Sequence, residues 1–119
     1  MPYKILIVDD DEIVRRLLRN KFQSCGYEIA EAGDGREAIH LLEATDFDVV
    51  ITDVLMPEQD GIELLMYLRR EHPAIRAIAI TAGDKLHLDN ACGLGADYVF
   101  AKPFKLEALE SAVKELLSA

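Results

Sequence analysis

Reactive side chains stand at the ends of four apolar stretches in this sequence. Three neighbouring carboxylates, a fourth carboxylate, a hydroxyl and an ammonium group make up the set: Asp9, Asp10, Asp11, Asp53, Thr81 and Lys102. Carboxylates brought together in a fold repel one another unless a cation joins them, and their hard oxygen atoms suit Mg²⁺. A Mg²⁺ ion beside a hydroxyl and an ammonium group binds phosphoryl oxygens, and a remaining carboxylate is able to attack phosphorus. The residue types therefore indicate phosphoryl transfer, provided that the fold assembles them.

Two hydrophobic patterns alternate along the chain and predict the elements that would assemble this set. Short, continuous apolar runs are typical of strands that are covered on both faces. These runs are Lys4–Val8, Tyr27–Ala32, Asp48–Thr52, Ala77–Thr81 and Tyr98–Ala101. Each of these runs is followed by a stretch that is interpreted as a helix.

Stretches with helical periodicity lie between the predicted strands. Apolar residues share one helix face in Val14–Cys25 and again in Leu106–Leu117. Asp34 and Asp60 have the spacing of helix N-caps, and Gly61 is interpreted as a residue that permits the turn of the loop at Asp60. Leu86–Leu94 is the weakest predicted helix, because its apolar residues are poorly periodic and glycines crowd its end.

Five strand-helix units in succession predict an α/β fold. Such alternation implies right-handed crossovers, and hence a doubly wound, five-stranded parallel sheet with five helices on its two faces. A chain of 119 residues buries one core of ordinary size, so residues 1–119 are predicted to form a single domain. Ligands of such sheets bind beyond the carboxyl ends of the strands, which is where the reactive side chains would meet.

The overall composition argues against several classes of function. A formal net charge of -9 disfavours binding to nucleic acid, which requires clustered lysine and arginine. No apolar stretch reaches the roughly 18 residues of a membrane span, and the first residues lack the apolar segment of a signal peptide. A cytoplasmic location without membrane contact is therefore expected. The two cysteines and three histidines lack the spacing of a zinc site or a disulfide framework.

Four motifs at the predicted strand ends are together more specific than any one of them. They are ILIVDDDE, VVITDVLMPEQDG, AIAITA and AKPF, in this order along the chain. With these motifs the sequence resembles the receiver domain of two-component response regulators, including the chemotaxis regulators. The resemblance implies a flavodoxin-like sheet with the strand order 2-1-3-4-5, and Mg²⁺ as the cofactor.

The resemblance also implies a role for each residue of the site. Asp53 would be the phospho-acceptor and a metal ligand, Asp10 the main Mg²⁺ carboxylate, and Asp9 a carboxylate that acts nearby or through water. The backbone carbonyl of Leu55 would be a further Mg²⁺ ligand. The two remaining residues would contact the phosphoryl group after transfer, one as the switch hydroxyl and one as the family's lysine, which precedes a cis proline: Thr81 and Lys102.

The phosphoryl donor implied by the resemblance is a sensor histidine kinase or a histidine phosphotransfer protein. A phosphohistidine would transfer its phosphoryl group to Asp53, and water would later hydrolyse the acyl phosphate. The change would reach a surface formed by the predicted fourth helix, fifth strand and fifth helix, where a downstream effector or a second copy of the chain would bind. The basic residues of the first helix are interpreted either as partner contacts on its exposed part or as a solvated face: Arg15, Arg16 and Arg19.

One position departs from the family pattern. Receiver domains commonly carry an aromatic residue three positions before the lysine of the fifth strand, and here that position holds Val99. Tyr98 and Phe100 flank it, but successive side chains of a strand point to opposite faces. We therefore expect both rings to pack on the face opposite Val99.

Three other functions compete with that of a phosphorylated receiver. Asp9 and Asp11 have the Asp-x-Asp spacing of haloacid-dehalogenase-like phosphatases, but Glu12-Ile13 replaces the usual Gly-Thr and a cap domain is lacking. A phosphorylation-independent, receiver-like binding module would normally have lost the acceptor, the acidic pair or the lysine. A flavodoxin-like flavin binder would need a phosphate-binding loop after the first strand, where this chain has carboxylates.

Overall fold

Five parallel strands form one sheet at the centre of the fold. The computed structural model describes residues 2–54, 60–81 and 95–118. The strands are β1 (Lys4–Val8), β2 (Glu28–Ala32), β3 (Val49–Asp53), β4 (Arg76–Thr81) and β5 (Tyr98–Ala101). Their order in the sheet is β2-β1-β3-β4-β5, and all neighbouring pairs are parallel, so the predicted fold class is confirmed. Each strand begins and ends within one residue of its predicted bounds.

Helices cover both faces of this sheet. In the described ranges they are α1 (Glu12–Ser24), α2 (Gly35–Ala44), α3 (Asp60–Glu71) and α4 (Leu106–Ser118). The helix predicted at Leu86–Leu94 lies outside the described residues, so the predicted fifth helix is α4 in this numbering. Among the helices that the structure describes, none has both the length and the apolar character that crossing a membrane requires.

Alternate residues of the strands contribute to two apolar cores, one on each face of the sheet. Leu6 and Val8 of β1 face the side that is covered by α2 and α3. Ile5 and Ile7 face the side that is covered by α1 and α4. All four side chains are at most 1% exposed, and full burial of such a side chain contributes about 1.5–3 kcal/mol. Burial on both faces explains why the strands are continuous apolar runs in the sequence.

The aromatic side chains of β5 lie on one face only. Tyr98 and Phe100 pack against the core beneath α1 and α4, and their ring centroids are 6.4 Å apart. Val99 packs against the core beneath α2 and α3. The expectation that both rings lie on the face opposite Val99 is therefore confirmed. Val99 pairs in register with Ala79 of β4, and Thr81 follows two residues later.

Candidate functional site

The carboxyl ends of the strands meet at one edge of the sheet, and the predicted site residues lie there. Asp9 and Asp10 follow β1, Asp53 is the last residue of β3, and Lys102 follows β5. Because β1 pairs with β3, and β4 joins β3 to β5, residues that are distant in sequence become neighbours. We call Asp9, Asp10, Asp53 and Lys102 the acidic site.

Three carboxylates of the acidic site approach one another closely. One oxygen from each of Asp9, Asp10 and Asp53 lies within 4.8 Å of the other two. Asp9 and Asp53 are only 2% and 5% exposed, whereas Asp10 is exposed. The site therefore offers an ion two buried carboxylates and an exposed one, all with the oxygen ligands that Mg²⁺ prefers.

Lys102 joins the two buried carboxylates. Its Nζ donates to Asp53 Oδ2 at 2.9 Å and to Asp9 Oδ2 at 3.2 Å. The main chain places it there, because the Lys102 N–H donates to the Thr81 carbonyl just beyond the paired part of β4 and β5. The peptide bond between Lys102 and Pro103 is cis, as predicted.

Burial and charge shift the pKa values of this group. Burial raises the pKa of Asp9, and the charge of Asp53 adds to the increase, whereas Lys102 and the Asp11 N–H act against it. Burial alone would lower the pKa of Lys102, but hydrogen bonds to Asp53 and Asp9 and their charges outweigh burial and raise it. When all three carboxylates are ionised, one ammonium group leaves two negative charges uncompensated, which a divalent cation would balance.

The loop between β1 and α1 is fixed by hydrogen bonds of Asp9 and Asp11. The Asp11 N–H donates to Asp9 Oδ1 at 2.9 Å. Asp11 Oδ1 accepts from the Ile13 N–H at 2.9 Å and caps α1, a contact that contributes about 1 kcal/mol. Asp9 thus uses Oδ1 for the backbone and Oδ2 for Lys102. Asp10 is the carboxylate of the acidic site that is exposed to solvent.

Thr81 and Leu55 are the remaining predicted site residues, and only Thr81 is among the residues that the structure describes. Thr81 is fully buried at the end of β4 and pairs in register with Ala101 of β5. Its carbonyl accepts the main-chain hydrogen bond of Lys102, so Thr81 adjoins the acidic site. Leu55 lies outside the described residues, and its role as a ligand stays a prediction.

The basic residues of α1 differ from their predicted placement. Arg16 is exposed and pairs with Glu12 one helical turn away. Arg15 and Arg19 are partly buried, with 20% and 35% of the side chain exposed, and both pair with Glu31 of β2. The placement of all three on an exposed part of the helix is therefore wrong for Arg15 and Arg19, because the edge strand supplies a carboxylate beside them.

Gly61 has a role that its interpretation as a turn residue missed. α3 begins at Asp60, so Gly61 lies in the first turn of this helix. A Cβ atom on Gly61 would overlap the carbonyl oxygen of Asp53 and lie 2.5 Å from Val54 Cα. Only glycine lets α3 approach the end of β3 so closely. Gly61 therefore allows the main chain of Asp53 to keep its position against α3. In the sequence, the close approach of α3 to β3 is indicated only by the presence of glycine at position 61.

A comparison with protein families decides what kind of domain carries this site. The family model described as the response regulator receiver domain matches residues 5–114. The chain belongs to this family. The matched range of the receiver domain includes Thr81 and the whole acidic site. The resemblance inferred from the four motifs is thus confirmed.

Two curated relatives of this receiver domain are bacterial regulatory proteins. The response regulator MprA of Mycolicibacterium vanbaalenii is 40% identical over 119 residues, which are 98% of this chain and 51% of that protein. The alkaline phosphatase synthesis transcriptional regulatory protein PhoP of Bacillus subtilis is 36% identical over 119 residues, which are 98% of this chain and 49% of that protein. The chain therefore spans about half the length of these curated relatives.

The solved structure of the response regulator TrrA from Thermotoga maritima is similar to this receiver domain. Its sequence is 33% identical, the TM-score is 0.86, and the match covers 96% of this chain and 98% of that one. That protein is described in complex with Mg²⁺-BeF. The relative combines this fold with a bound Mg²⁺ ion.

Proposed function

We propose that this chain is a phosphorylation switch of a two-component phosphorelay, in which Asp53 accepts a phosphoryl group from a phosphohistidine. The grouping of Asp9, Asp10 and Asp53, with Lys102 hydrogen-bonded between two of them, carries this proposal. The donor is a sensor histidine kinase or a histidine phosphotransfer protein. In this role residues 1–119 act as a single receiver domain, and a cytoplasmic location stays a prediction.

Mg²⁺ is the cofactor of this proposal, and the donor atoms of the acidic site fit it. Asp10, as the exposed carboxylate, would hold the ion, with Asp53 and the Leu55 carbonyl as further ligands. Asp9 would act nearby or through water, because each of its oxygens already accepts a hydrogen bond within the protein and Asp10 is the more accessible carboxylate. When bound, Mg²⁺ offsets the negative charge of the phosphoryl oxygens. The Mg²⁺-BeF complex of TrrA supports this assignment.

Asp53 carries out the covalent step. A carboxylate oxygen of Asp53 forms a bond to phosphorus while the bond from phosphorus to the histidine nitrogen breaks, and the nitrogen keeps the electron pair. The product is an acyl phosphate, which water later hydrolyses. Lys102 already donates to Asp53 Oδ2, so a small movement of its Nζ brings it to a phosphoryl oxygen.

An apolar patch next to the acidic site supports docking of a protein donor. Ile13 and Leu17, one turn apart on α1, are 79% and 50% exposed. The patch begins shortly after Asp10, so a donor whose phosphohistidine reaches Asp53 would also lie over it. Burial of this apolar surface would favour the complex, since removal of apolar area from water is the main driving force of association.

Phosphorylation acts on the rest of the domain through Thr81 and Lys102. The Thr81 hydroxyl and the Lys102 ammonium group are donors for the new phosphoryl oxygens, and the two residues are already joined through the main chain. Their movement biases a two-state equilibrium of the output surface. This surface comprises the helix predicted at Leu86–Leu94, β5, and α4, which is the fifth helix predicted from the sequence. A downstream effector or a second copy of this chain binds that surface.

Phosphorylation by acetyl phosphate with Mg²⁺ tests the proposal. We expect mass spectrometry to find one added phosphoryl group, located on Asp53, in the wild type and none in Asp53→Asn. Asp46→Asn is the matched control, because Asp46 is an exposed carboxylate that precedes β3, whereas Asp53 ends that strand. This control should be labelled like the wild type. Labelling that persists in Asp53→Asn, or that proceeds equally well in excess chelator, would overturn the proposal.

The alternative functions receive no support from the comparisons. A haloacid-dehalogenase-like phosphatase would place its nucleophile in the Asp9-x-Asp11 motif, but the family model that matches residues 5–114 is that of the receiver domain. Turnover of a small phosphate ester that survives Asp53→Asn would favour that phosphatase. A phosphorylation-independent binding module would bind its partner equally well with and without a phosphoryl group on Asp53.

A further inference from the structure

Arg15 reaches from α1 back to the loop that carries the acidic site. Its Nη1 donates to the main-chain carbonyl of Asp9 at 2.6 Å, and its Nε lies 3.5 Å from Glu31 Oε1 in β2. We propose that Arg15 is a positioning residue, which fixes the main chain of Asp9 and Asp10 and thereby orients the Asp10 carboxylate for Mg²⁺. This inference rests on the proposed function, because it assigns a task to Arg15 only if Asp10 binds the ion.

The Asp9 carbonyl is an effective place to fix this loop. Because a peptide unit is planar, the direction of the Asp9 carbonyl also sets the direction of the Asp10 N–H and the position of the Asp10 Cα. The Asp11 N–H, bonded to Asp9 Oδ1, fixes the next peptide unit. Asp10 therefore lies between two anchored peptide units, and its exposed side chain starts from a defined point.

The contacts of Arg15 suit a guanidinium group better than an ammonium group. A guanidinium group presents several N–H donors in one rigid plane, so it binds a carbonyl and a carboxylate at the same time. Glu31 holds the other side of that plane, and it is itself fixed by the pairing of β2 with β1, where it lies opposite Ile7. Lysine at position 15 would keep the charge, but its single ammonium group on a flexible stem would lose the fixed orientation.

Arg19 provides a matched control within the same group of charges. From one turn further along α1, its Nη1 donates to Glu31 Oε2 at 3.0 Å. Arg15→Gln and Arg19→Gln each remove one positive charge and one contact with Glu31, but only Arg15→Gln removes the hydrogen bond to Asp9. Loss of a nearby positive charge would by itself strengthen the binding of a cation. A weaker Mg²⁺ affinity in Arg15→Gln would therefore report lost positioning and not lost charge.

Mg²⁺ titrations followed by NMR test this inference on the wild type, Arg15→Gln, Arg15→Lys and Arg19→Gln. We expect the affinity to fall about tenfold in Arg15→Gln, the lower end of the range for partners that orient metal ligands. Arg15→Lys should weaken binding in the same direction but less, and Arg19→Gln should bind at least as tightly as the wild type. In the metal-free protein, the amide protons of Asp10 and Asp11 should exchange faster in Arg15→Gln than in Arg19→Gln.

Phosphorylation rates with acetyl phosphate supply a second measurement. Arg15→Gln should need more Mg²⁺ for its half-maximal rate but reach the wild-type rate at saturating Mg²⁺, because Asp53 and Lys102 are unchanged. The inference is overturned if both variants at position 15 bind Mg²⁺ within about twofold of the wild type, or if Arg19→Gln loses as much affinity as Arg15→Gln. If Arg15→Gln does not fold, Arg15→Lys decides alone. A wild-type protein that neither binds Mg²⁺ nor is labelled on Asp53 would instead overturn the proposed function.

Discussion

Asp10 and Asp11 are neighbouring carboxylates with different tasks. Asp10 is exposed and contributes an oxygen to the group of three carboxylates, whereas Asp11 uses Oδ1 to cap α1. Both residues add a negative charge at the same edge of the sheet. The charge alone therefore does not identify the metal ligand, and the orientation of each side chain has to be tested separately.

Asp10→Asn should weaken Mg²⁺ binding and slow phosphorylation of Asp53, because a neutral amide oxygen is a poorer ligand than a carboxylate. It should also raise the Tm of the metal-free protein, since one of three converging negative charges is gone. Asp11→Asn is the matched control, because it removes the same charge, keeps a capping oxygen and should bind Mg²⁺ nearly as the wild type does. A Mg²⁺ titration and a thermal melt of each variant separate the two effects. Unchanged affinity in Asp10→Asn would mean that another carboxylate is the main ligand.

Asp9 makes the stability of the metal-free fold depend on pH. Burial raises the pKa of Asp9 above its ordinary value of 3.8, so the folded protein holds this proton more tightly than the unfolded chain does. The contribution of Asp9 to stability is therefore complete below pH 3.8 and is lost as the pH rises through the folded-state pKa. Asp9→Asn lacks this titration, so its stability relative to the wild type should be higher near pH 7 than near pH 3. Urea unfolding at both pH values measures this difference, and a larger relative stability at the lower pH would contradict it.

The strands were well predicted from the sequence, whereas the contacts between helices, loops and strands were not. The strands were predictable because burial on both faces produces continuous apolar runs, and parallel strands bring their carboxyl ends together. The strand order, however, came from the resemblance to receiver domains. The contact of Arg15 with Asp9 and Glu31 joins a helix, a loop and an edge strand, and no local pattern encodes it. The close approach at Gly61 was missed for the same reason.

Gly61→Ala should damage both stability and phosphorylation, because the new Cβ would collide with the main chain at the end of β3 and not with a flexible side chain. We expect a loss of about 1–3 kcal/mol in unfolding free energy, as for other overpacked positions, and slower labelling of Asp53. Gly33→Ala is the matched control, because its Cβ would meet only Arg15 Nη1 at an ordinary contact distance of 3.5 Å. Denaturant unfolding and the rate of Asp53 labelling measure the two effects. We expect Gly33→Ala to have nearly the wild-type unfolding free energy and labelling rate. Normal labelling of Gly61→Ala would show that the backbone of Asp53 tolerates the shift.

The effect of phosphorylation has to cross the domain to the output surface without an aromatic ring at the usual position in β5. Val99 lies beside Ala79 in the core beneath α2 and α3, whereas Tyr98 and Phe100 belong to the opposite core. We predict that a phosphoryl mimic moves Thr81 while both rings keep their rotamers. Displacement of the loop after β4 and of the predicted fourth helix would then carry the change, and the response should be smaller than with an aromatic ring.

NMR of fluorinated tyrosine and ring-labelled phenylalanine, with and without a phosphoryl mimic, measures this response. Tyr3 is 44% exposed and precedes β1, at the edge of the sheet opposite the acidic site, so its ring supplies the reference signal. We expect the signals of Tyr98 and Phe100 to shift little more than that of Tyr3. A large shift of either ring, together with a slipped register of β5, would contradict the prediction.

The sheet separates two apolar cores, and this separation affects how such a domain evolves. Within the described part of the chain, the cores on the two faces have no side chain in common. Substitutions at distant sites that share no contact partners usually have additive effects on stability. Selection can therefore alter α1, which adjoins the acidic site, without repacking the core beneath α2 and α3, where Val99 lies. The choice of phosphodonor and the side chain at position 99 are thus free to diverge independently in descendants of one ancestral gene, whereas α4 of the output surface shares its core with α1 and has to change with it.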